Sequence, residues 1–468
     1  MADIVFLAHG LTSPLNASLA LCKRLRAQGH VITYVSHADL QTVVEANGFA
    51  FVRLSADERI RERTETLSRS NPARWASEMR AARAESASLP EMVEVVASID
   101  PDLVIADIET HYAIIATATL QLPTILVMNW FSIFERPGLP PPGSAHIPDG
   151  TAEDARAAER EWRGVRARSV IDRTRHKLGR GGVGDVLRPI GYGTYHYADL
   201  KTVATTRGYP LDRETDRTQW LRPYTYTQYP ILCFNAFEME LPHEPPANLR
   251  YVGPMVDMDR EEPRLSGDAL GRWEALKARR GSDESDRPLV YCSLGSYWAD
   301  LEFLQMIVNT FVRRPEWDLV LGLGEQTSLG DFGDLPDNIT LLEWAPQLEV
   351  LAEADVAINH AGVTSVNECL LFGVPIIAYS PDLTDQDGVA ARIAYHRVGI
   401  AAEWDTTNPR LLEQHVERLL DDESFRSNVQ AMGSQLQRYA QEQTAERLIS
   451  RFLETGELVD QPPRPADG

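Results

Sequence analysis

Cysteine is scarce: four residues in 468, Cys22, Cys233, Cys292 and Cys369. They lie far apart with no CxxC or Cys/His spacing, so neither a disulfide framework nor a zinc site is expected, and a reducing cytoplasm fits. Long apolar runs are missing too. No uncharged apolar stretch approaches the roughly 18 residues of a membrane span, and Met1–Ala8 lacks a charged segment followed by a long apolar one. Neither a signal peptide nor an integral membrane segment is expected. Positive charge is in deficit, 46 Lys and Arg against 68 Asp and Glu, a formal net charge of -22. Such a surface repels the phosphate backbone, which excludes a nucleic-acid partner. No internal repeat of short period is visible.

What is present is globular. Hydrophobic residues make up 43% and charged ones 24%, and the length is about three times the ~150 residues of a typical domain, so two cores are expected. With this net charge, any anionic ligand has to be held by a local device such as backbone amides at a helix start.

The opening reads strand, turn, helix, strand: Ile4–Ala8, His9–Pro14, Ser18–Ala27 with apolar residues at helical spacing, then Val31–Val35. Asp102–Asp107, Ala113–Leu120 and Leu122–Val127 continue the alternation. A second series starts at Leu289–Ser293 and runs through Leu319–Leu321, Ile339–Leu342, Val356–Asn359 and Val374–Tyr379. Buried strands alternating with helices predict an α/β fold of two doubly wound, Rossmann-like domains facing a crevice. Between them, residues 129–221 loosen into Pro-rich and Gly-rich turns and aromatics, where a binding pocket is more natural than sheet. The Pro- and Glu-rich stretch 241–254 reads as the interdomain linker.

Four segments of the second half fall at the carboxyl ends of these strands, where loops line a common crevice. Ser293-Leu-Gly-Ser296 brings backbone and hydroxyl donors to a tight turn. His360-Ala361-Gly362-Val363-Thr364-Ser365 opens a helix whose free first-turn amides form an anion site; alternatively Thr364 or Ser365 is an ordinary N-cap. Trp344-Ala345-Pro346-Gln347 sets an indole beside a rigid turn, suited to stacking on a nucleobase or to core packing. Glu368 lies one turn into the helix and suits a sugar diol, or reaches back to Ser365 in a capping box. Asp385-Gln386 is a natural clamp for vicinal hydroxyls, or a solvated loop.

In order and spacing, Trp344-Ala-Pro-Gln347, His360-Ala-Gly-Val-Thr-Ser365, Glu368, Gly373-Val-Pro375 and Asp385-Gln386 resemble the sugar-nucleotide signature of the family 1 glycosyltransferases of the GT-B fold. Residues 289–400 carry the likeness, and Asp385–Arg392 also looks like the bacterial macrolide and carotenoid glucosyltransferases. The resemblance implies an acceptor-binding domain at 1–240, the linker 241–254, a donor domain at 255–440, and a terminal helix and tail at 441–468 packing back on the first domain. It implies that Trp344 and Ala345 meet the uracil, Gln347 and Glu368 the ribose, and Ser296, His360, Gly362, Thr364 and Ser365 the diphosphate. Asp385 and Gln386 would hold the sugar. It also implies neither metal nor cofactor, with the UDP-sugar as co-substrate; Asp257-Met-Asp259 and Asp385-Gln-Asp387 are read as non-metal.

Family members carry a base histidine after the first strand and an aspartate at the end of a later one. Asp107 fits the second role, or caps the next helix. The histidine's place falls on Pro14, which cannot titrate, and His9, five residues earlier, is the candidate in its stead. His111 or Asp107 as base, an acceptor acidic enough to need none, and loss of activity remain open. Trp130, Phe131, Phe134, Tyr195 and Trp220 are acceptor-pocket candidates, pointing to a hydrophobic small molecule. The expectation is an inverting hexosyltransferase, glucose from a UDP-sugar to an acceptor hydroxyl. A catalytically silent sugar-nucleotide-binding auxiliary protein and a UDP-GlcNAc epimerase of the same fold are the alternatives.

Overall fold

The computed structural model describes residues 1–10, 12–36, 40–54, 91–177, 197–216, 218–219, 224–262, 264–280, 287–295, 300–324, 327–381 and 385–458. Runs of β-branched and aliphatic residues, most of them buried on both faces, form its strands, as a sheet covered on both sides requires. In the first half these are β1 (Asp3–Leu7), β2 (Val31–Ser36), β3 (Ala50–Arg53), β4 (Leu103–Asp107), β5 (Thr124–Met128), β6 (Ile231–Cys233) and β7 (Leu249–Tyr251). They pair in parallel in the order β3-β2-β1-β4-β5-β6-β7. The second half supplies β8 (Leu289–Ser293), β9 (Asp318–Gly322), β10 (Ile339–Leu342), β11 (Val356–Asn359), β12 (Ile376–Ser380) and β13 (Gly399–Glu403). Their order is β10-β9-β8-β11-β12-β13, again parallel.

In each sheet the winding reverses once, between β1 and β4 and between β8 and β11. Loops leaving the strands on either side of such a reversal diverge and open a crevice. Among the described residues, the candidates His9, Asp107, Trp130, Trp344, His360 and Asp385 each lie at or just beyond a strand end of one sheet or the other.

The first helix runs Thr12–Ala27, six residues earlier than the apolar spacing indicates, and takes Pro14 into its first turn. There the missing N–H costs nothing because that amide has no intrahelical acceptor. Leu249–Tyr251, inside the stretch read as linker, is the edge strand β7 of the first sheet. The last helix, Thr444–Thr455, returns to the first domain: Ala445, Leu448, Ile449 and Phe452 share a core with Ile4, Phe6, Leu21 and Leu25. Each such aliphatic or aromatic side chain contributes about 1.5–3 kcal/mol when fully buried.

Polar contacts tie the halves together. Lys23 Nζ donates to Asp257 Oδ2 at 2.5 Å, Asn367 Nδ2 to Asn235 Oδ1 at 2.9 Å, and Asn129 Nδ2 to Thr364 Oγ1 at 3.4 Å. The helix Gln386–Tyr395 approaches the Pro-rich loop of the first domain so closely that a Cβ on Gly388 would lie 1.9 Å from the Pro142 carbonyl oxygen. Only glycine fits that approach without displacement.

Candidate active site

After β11 the Asn359 side-chain oxygen accepts the Ala361 amide at 2.9 Å, and the chain turns through Ala361 at φ 59. A non-glycine residue in that region is uncommon and clusters at functional turns. Gly362 then serves as the N-cap of the helix Val363–Phe372 with no side-chain cap, so neither Thr364 nor Ser365 fills that role. The first intrahelical bond is Val366 N to Gly362 O, 2.9 Å. The amides of residues 363–365 precede it and point out of the helix start, where the helix dipole favours an anion.

The His360 ring lies over two glycines. A Cβ on Gly295, which has φ +88, would be 2.7 Å from His360 Cε1, and one on Gly362 would be 2.8 Å from Nε2. His360 Nδ1 is buried with no hydrogen-bond partner among the described residues. Burial lowers its pKa to about 4, so the ring is neutral at pH 7 and carries one N–H. An unpaired ring nitrogen thus lies beside a helix start that has no side-chain cap, an arrangement that suits an anionic oxygen.

Trp344, in the turn after β10, is 46% exposed and therefore not core packing. Ala345 packs against the second-domain core. Gln347 opens the helix Gln347–Leu351; its Oε1 accepts the Tyr291 hydroxyl at 3.2 Å and its Nε2 donates to Glu368 Oε2. Glu368 is 1% exposed, and instead of closing a capping box it meets Arg260, whose Nη1 donates to Oε1 and whose Nη2 donates to Oε2 at 3.3 Å. Arg260 is itself held by Glu262 Oε1, 3.3 Å from Nε and 3.1 Å from Nη2. Glu262 Oε2 in turn accepts the amides of Leu348 and Glu349.

On the facing domain, His9 follows β1 and keeps 31% of its side chain exposed, with Nε2 3.5 Å from Glu109 Oε2. Asp107 ends β4: its Oδ1 accepts the Glu109 amide at 2.9 Å, and its carbonyl accepts the Thr110 amide and hydroxyl. Desolvation lowers the His9 pKa to about 4. It raises Glu109 well above the carboxylate range, assisted by the charges of Asp107 and Asp385, and raises Asp107 as well. Near neutrality His9 is thus an uncharged imidazole beside Glu109. Asp385, of the sugar-clamp candidate, is thus near enough to Glu109 for its charge to act on it. Asp385 occupies the N-cap position of the helix Gln386–Tyr395 without using its side chain as the cap.

Of the aromatic candidates, Trp130 is half-buried, its ring 5.4 Å from that of Tyr224. Phe131 and Phe134 are buried in cores, Phe131 under the Arg392 guanidinium at 4.7 Å. Tyr195, Trp220 and Ser296 lie outside the described residues. Asp257 is engaged by Lys23. Among the described residues no group of three or more His, Cys, Asp or Glu is arranged to hold a metal ion, and no helix is long and apolar enough to cross a membrane.

Two residues here lie outside the motifs of the sequence. Glu109 had a signal, a second acid two residues past the strand-end Asp107; Arg260 had none, because its partner Glu368 lies 108 residues away.

Against solved structures the chain superposes along nearly its whole length. The glycosyltransferase of kitacinnamycin matches with a TM-score of 0.67 at 20% identity, over 96% of this chain and 98% of that one. The fold is GT-B. Residues 313–448 match the family described as the erythromycin biosynthesis protein CIII-like C-terminal domain. NDP-glycosyltransferase YjiC of Bacillus subtilis is 29% identical over 172 residues, 36% of this chain and 43% of its own length. Demethyllactenocin mycarosyltransferase of Streptomyces fradiae is 29% identical over 204 residues, 43% of this chain and 41% of its own. The chain thus spans about two-fifths of the length of these curated relatives. These matches support the resemblance to the family 1 GT-B glycosyltransferases.

Proposed function

We propose that this GT-B chain is an inverting glycosyltransferase that moves a hexose, glucose foremost, from a UDP-sugar to a hydroxyl of a hydrophobic small molecule. The observation that carries the reading is the uncapped start of the helix Val363–Phe372 with the unpaired His360 Nδ1 beside it. A diphosphate leaving group develops negative charge as the glycosidic bond breaks, and preorganised amides and an imidazole N–H at that point stabilise it without reorganisation. Neither metal nor cofactor enters this reading.

In the step, an acceptor oxygen attacks the anomeric carbon as its proton passes to His9, and the bond to the diphosphate oxygen breaks with its electron pair. The new bond forms on the opposite face, which inverts the anomeric centre. Asp385 and Gln386 hold the sugar hydroxyls, Gln347 and Glu368 the ribose, and Trp344 stacks on the base. Trp130, half-buried after β5, is the acceptor-side candidate. A transfer and hydrolysis assay with UDP-glucose and a panel of phenolic, macrolide and carotenoid acceptors tests this. Glycoside with inverted configuration is expected. Nucleotide-sugar binding without turnover on any acceptor would favour the silent auxiliary protein, and 2-acetamido sugar release from UDP-GlcNAc without acceptor would favour the epimerase.

A further inference from the structure

We propose that Arg392 is a positioning residue: it fixes the loop after β5 against the start of the helix Gln386–Tyr395, and so keeps the acceptor oxygen in line with the anomeric carbon. The inference deepens the reading above and rests on it, since there the loop carries the acceptor side and Asp385 and Gln386 hold the sugar. Arg392 is 2% exposed, so it acts through its neighbours. Its Nε and Nη2 both donate to Glu240 Oε2. That leaves Glu240 Oε1 to the Ser132 amide and the Tyr251 hydroxyl, and one carboxylate then ties the loop to the guanidinium. The Phe131 ring, 4.7 Å from the guanidinium carbon, gives a second hold on the same loop.

The remaining nitrogen points the other way. Arg392 Nη1 donates to the Gly388 carbonyl at 2.9 Å, in the first turn of its own helix. A Cβ on Gly388 would lie 1.9 Å from the Pro142 carbonyl oxygen, so the helix backbone there meets the chain beyond the loop with no side chain between. Apolar packing adds to the contact, because Phe131, Ala236 and Met239 share a core with Val389, Ala390 and Ile393. Such packing is non-directional; a planar guanidinium with its donors in a fixed fork sets a register. Transfer depends on that register, since about 1 Å of misplacement costs about 10²-fold. Hydrolysis does not ask for a docked acceptor: the oxygen of water bonds to the anomeric carbon as the bond to the diphosphate breaks, giving free hexose, UDP and a proton.

The test compares transfer with UDP-glucose hydrolysis in the full-length chain, in Arg392→Lys and in Gly388→Ala, using the fastest acceptor of the phenolic, macrolide and carotenoid panel. Arg392→Lys keeps the charge and loses the fork. Gly388→Ala removes no charge, suits a helix better than glycine, and drives the new Cβ against Pro142. In both, the ratio of transfer to hydrolysis should fall by about tenfold or more, with UDP binding by calorimetry retained. An unchanged ratio in either folded variant overturns the proposal, because a merely structural loss lowers both activities together. Should neither variant fold, a crystal structure of the wild-type chain with UDP decides: Arg392 hydrogen-bonded to Glu240 supports the proposal, and the two parted overturns it. Absence of transfer by the wild-type chain overturns the functional reading itself, and this inference with it.

Discussion

Arg392 and Glu240 form a buried ion pair across the two domains, with Nε 2.9 Å and Nη2 2.5 Å from Glu240 Oε2. The other carboxylate oxygen accepts the Ser132 amide at 2.5 Å and the Tyr251 hydroxyl at 2.8 Å, and His396 Nε2 lies 2.9 Å from the Glu240 carbonyl. One carboxylate thus joins the loop after β5, with its aromatic residues, to the helix Gln386–Tyr395.

Breaking that pair strands a buried charge. Arg392→Met should lower the free energy of unfolding by about 3–5 kcal/mol in urea. Burial pushes the Glu240 carboxyl up, but Arg392, His243 and the Ser132 amide outweigh it, so the group sits below its ordinary value of 4.5. A depressed carboxyl contributes stability that is present above the unfolded value and lost as pH falls through the folded one. The difference between wild type and Arg392→Met should therefore be full at pH 7 and shrink in acid below pH 4.5. A difference independent of pH would contradict this.

On the proposed function, the desolvated imidazole of His9 governs the pH dependence of transfer. With the His9 pKa lowered to about 4, the imidazole stays in its proton-accepting form through mild acid. The ratio kcat/KM should hold from pH 7 to about 5 and fall only near 4, whereas an acid limb near 6.5 would mean that His9 is an ordinary exposed histidine. His9→Ala should lower kcat by about 10²-fold or more, the scale of a lost general base.

Trp344 makes a stability-neutral test of the donor site because its indole is largely outside the core. Base stacking on an aromatic side chain contributes about 1–3 kcal/mol. Trp344→Ala should raise the donor KM by roughly five- to 150-fold by that measure, with the thermal midpoint unchanged. Equal loss of donor and acceptor affinity would point to a misfolded loop instead.

Gly295→Ala tests the phosphate side through geometry. At φ +88 a side chain is strained, and the new Cβ would lie 2.7 Å from His360 Cε1, so the ring has to move. Donor affinity should drop about tenfold, the scale of one misplaced donor. Gly208→Ala, also at positive φ but with nothing within 4 Å of its Cβ, serves as a control for strain alone and should leave donor affinity intact.

Long strands buried on both faces were legible in the sequence because their apolar runs are continuous: Ile4–Leu7, Leu103–Asp107 and Val356–Asn359 stand where periodicity puts them. The strands β6 and β7 have three residues each, too short for any pattern, and β7 hides among prolines that read as linker. The second-half motifs were legible as strand-end segments because each is contiguous in the chain. What escaped were partners supplied from far along the chain. Arg260 reaches Glu368 only once the segment after β7 lies over the second domain, and Glu109 meets His9 only because β1 and β4 are neighbours. Side-chain pairs of this kind are properties of the assembled crevice.

The central claim is that a diphosphate rests on the first-turn amides of the helix Val363–Phe372 beside His360. A crystal structure of the protein soaked with UDP tests it most directly. The account predicts phosphate oxygens within hydrogen-bonding distance of the amides of residues 363–365 and of the His360 ring, with the uracil against Trp344. Nucleotide density elsewhere on the chain, or none there at saturating UDP, would contradict it.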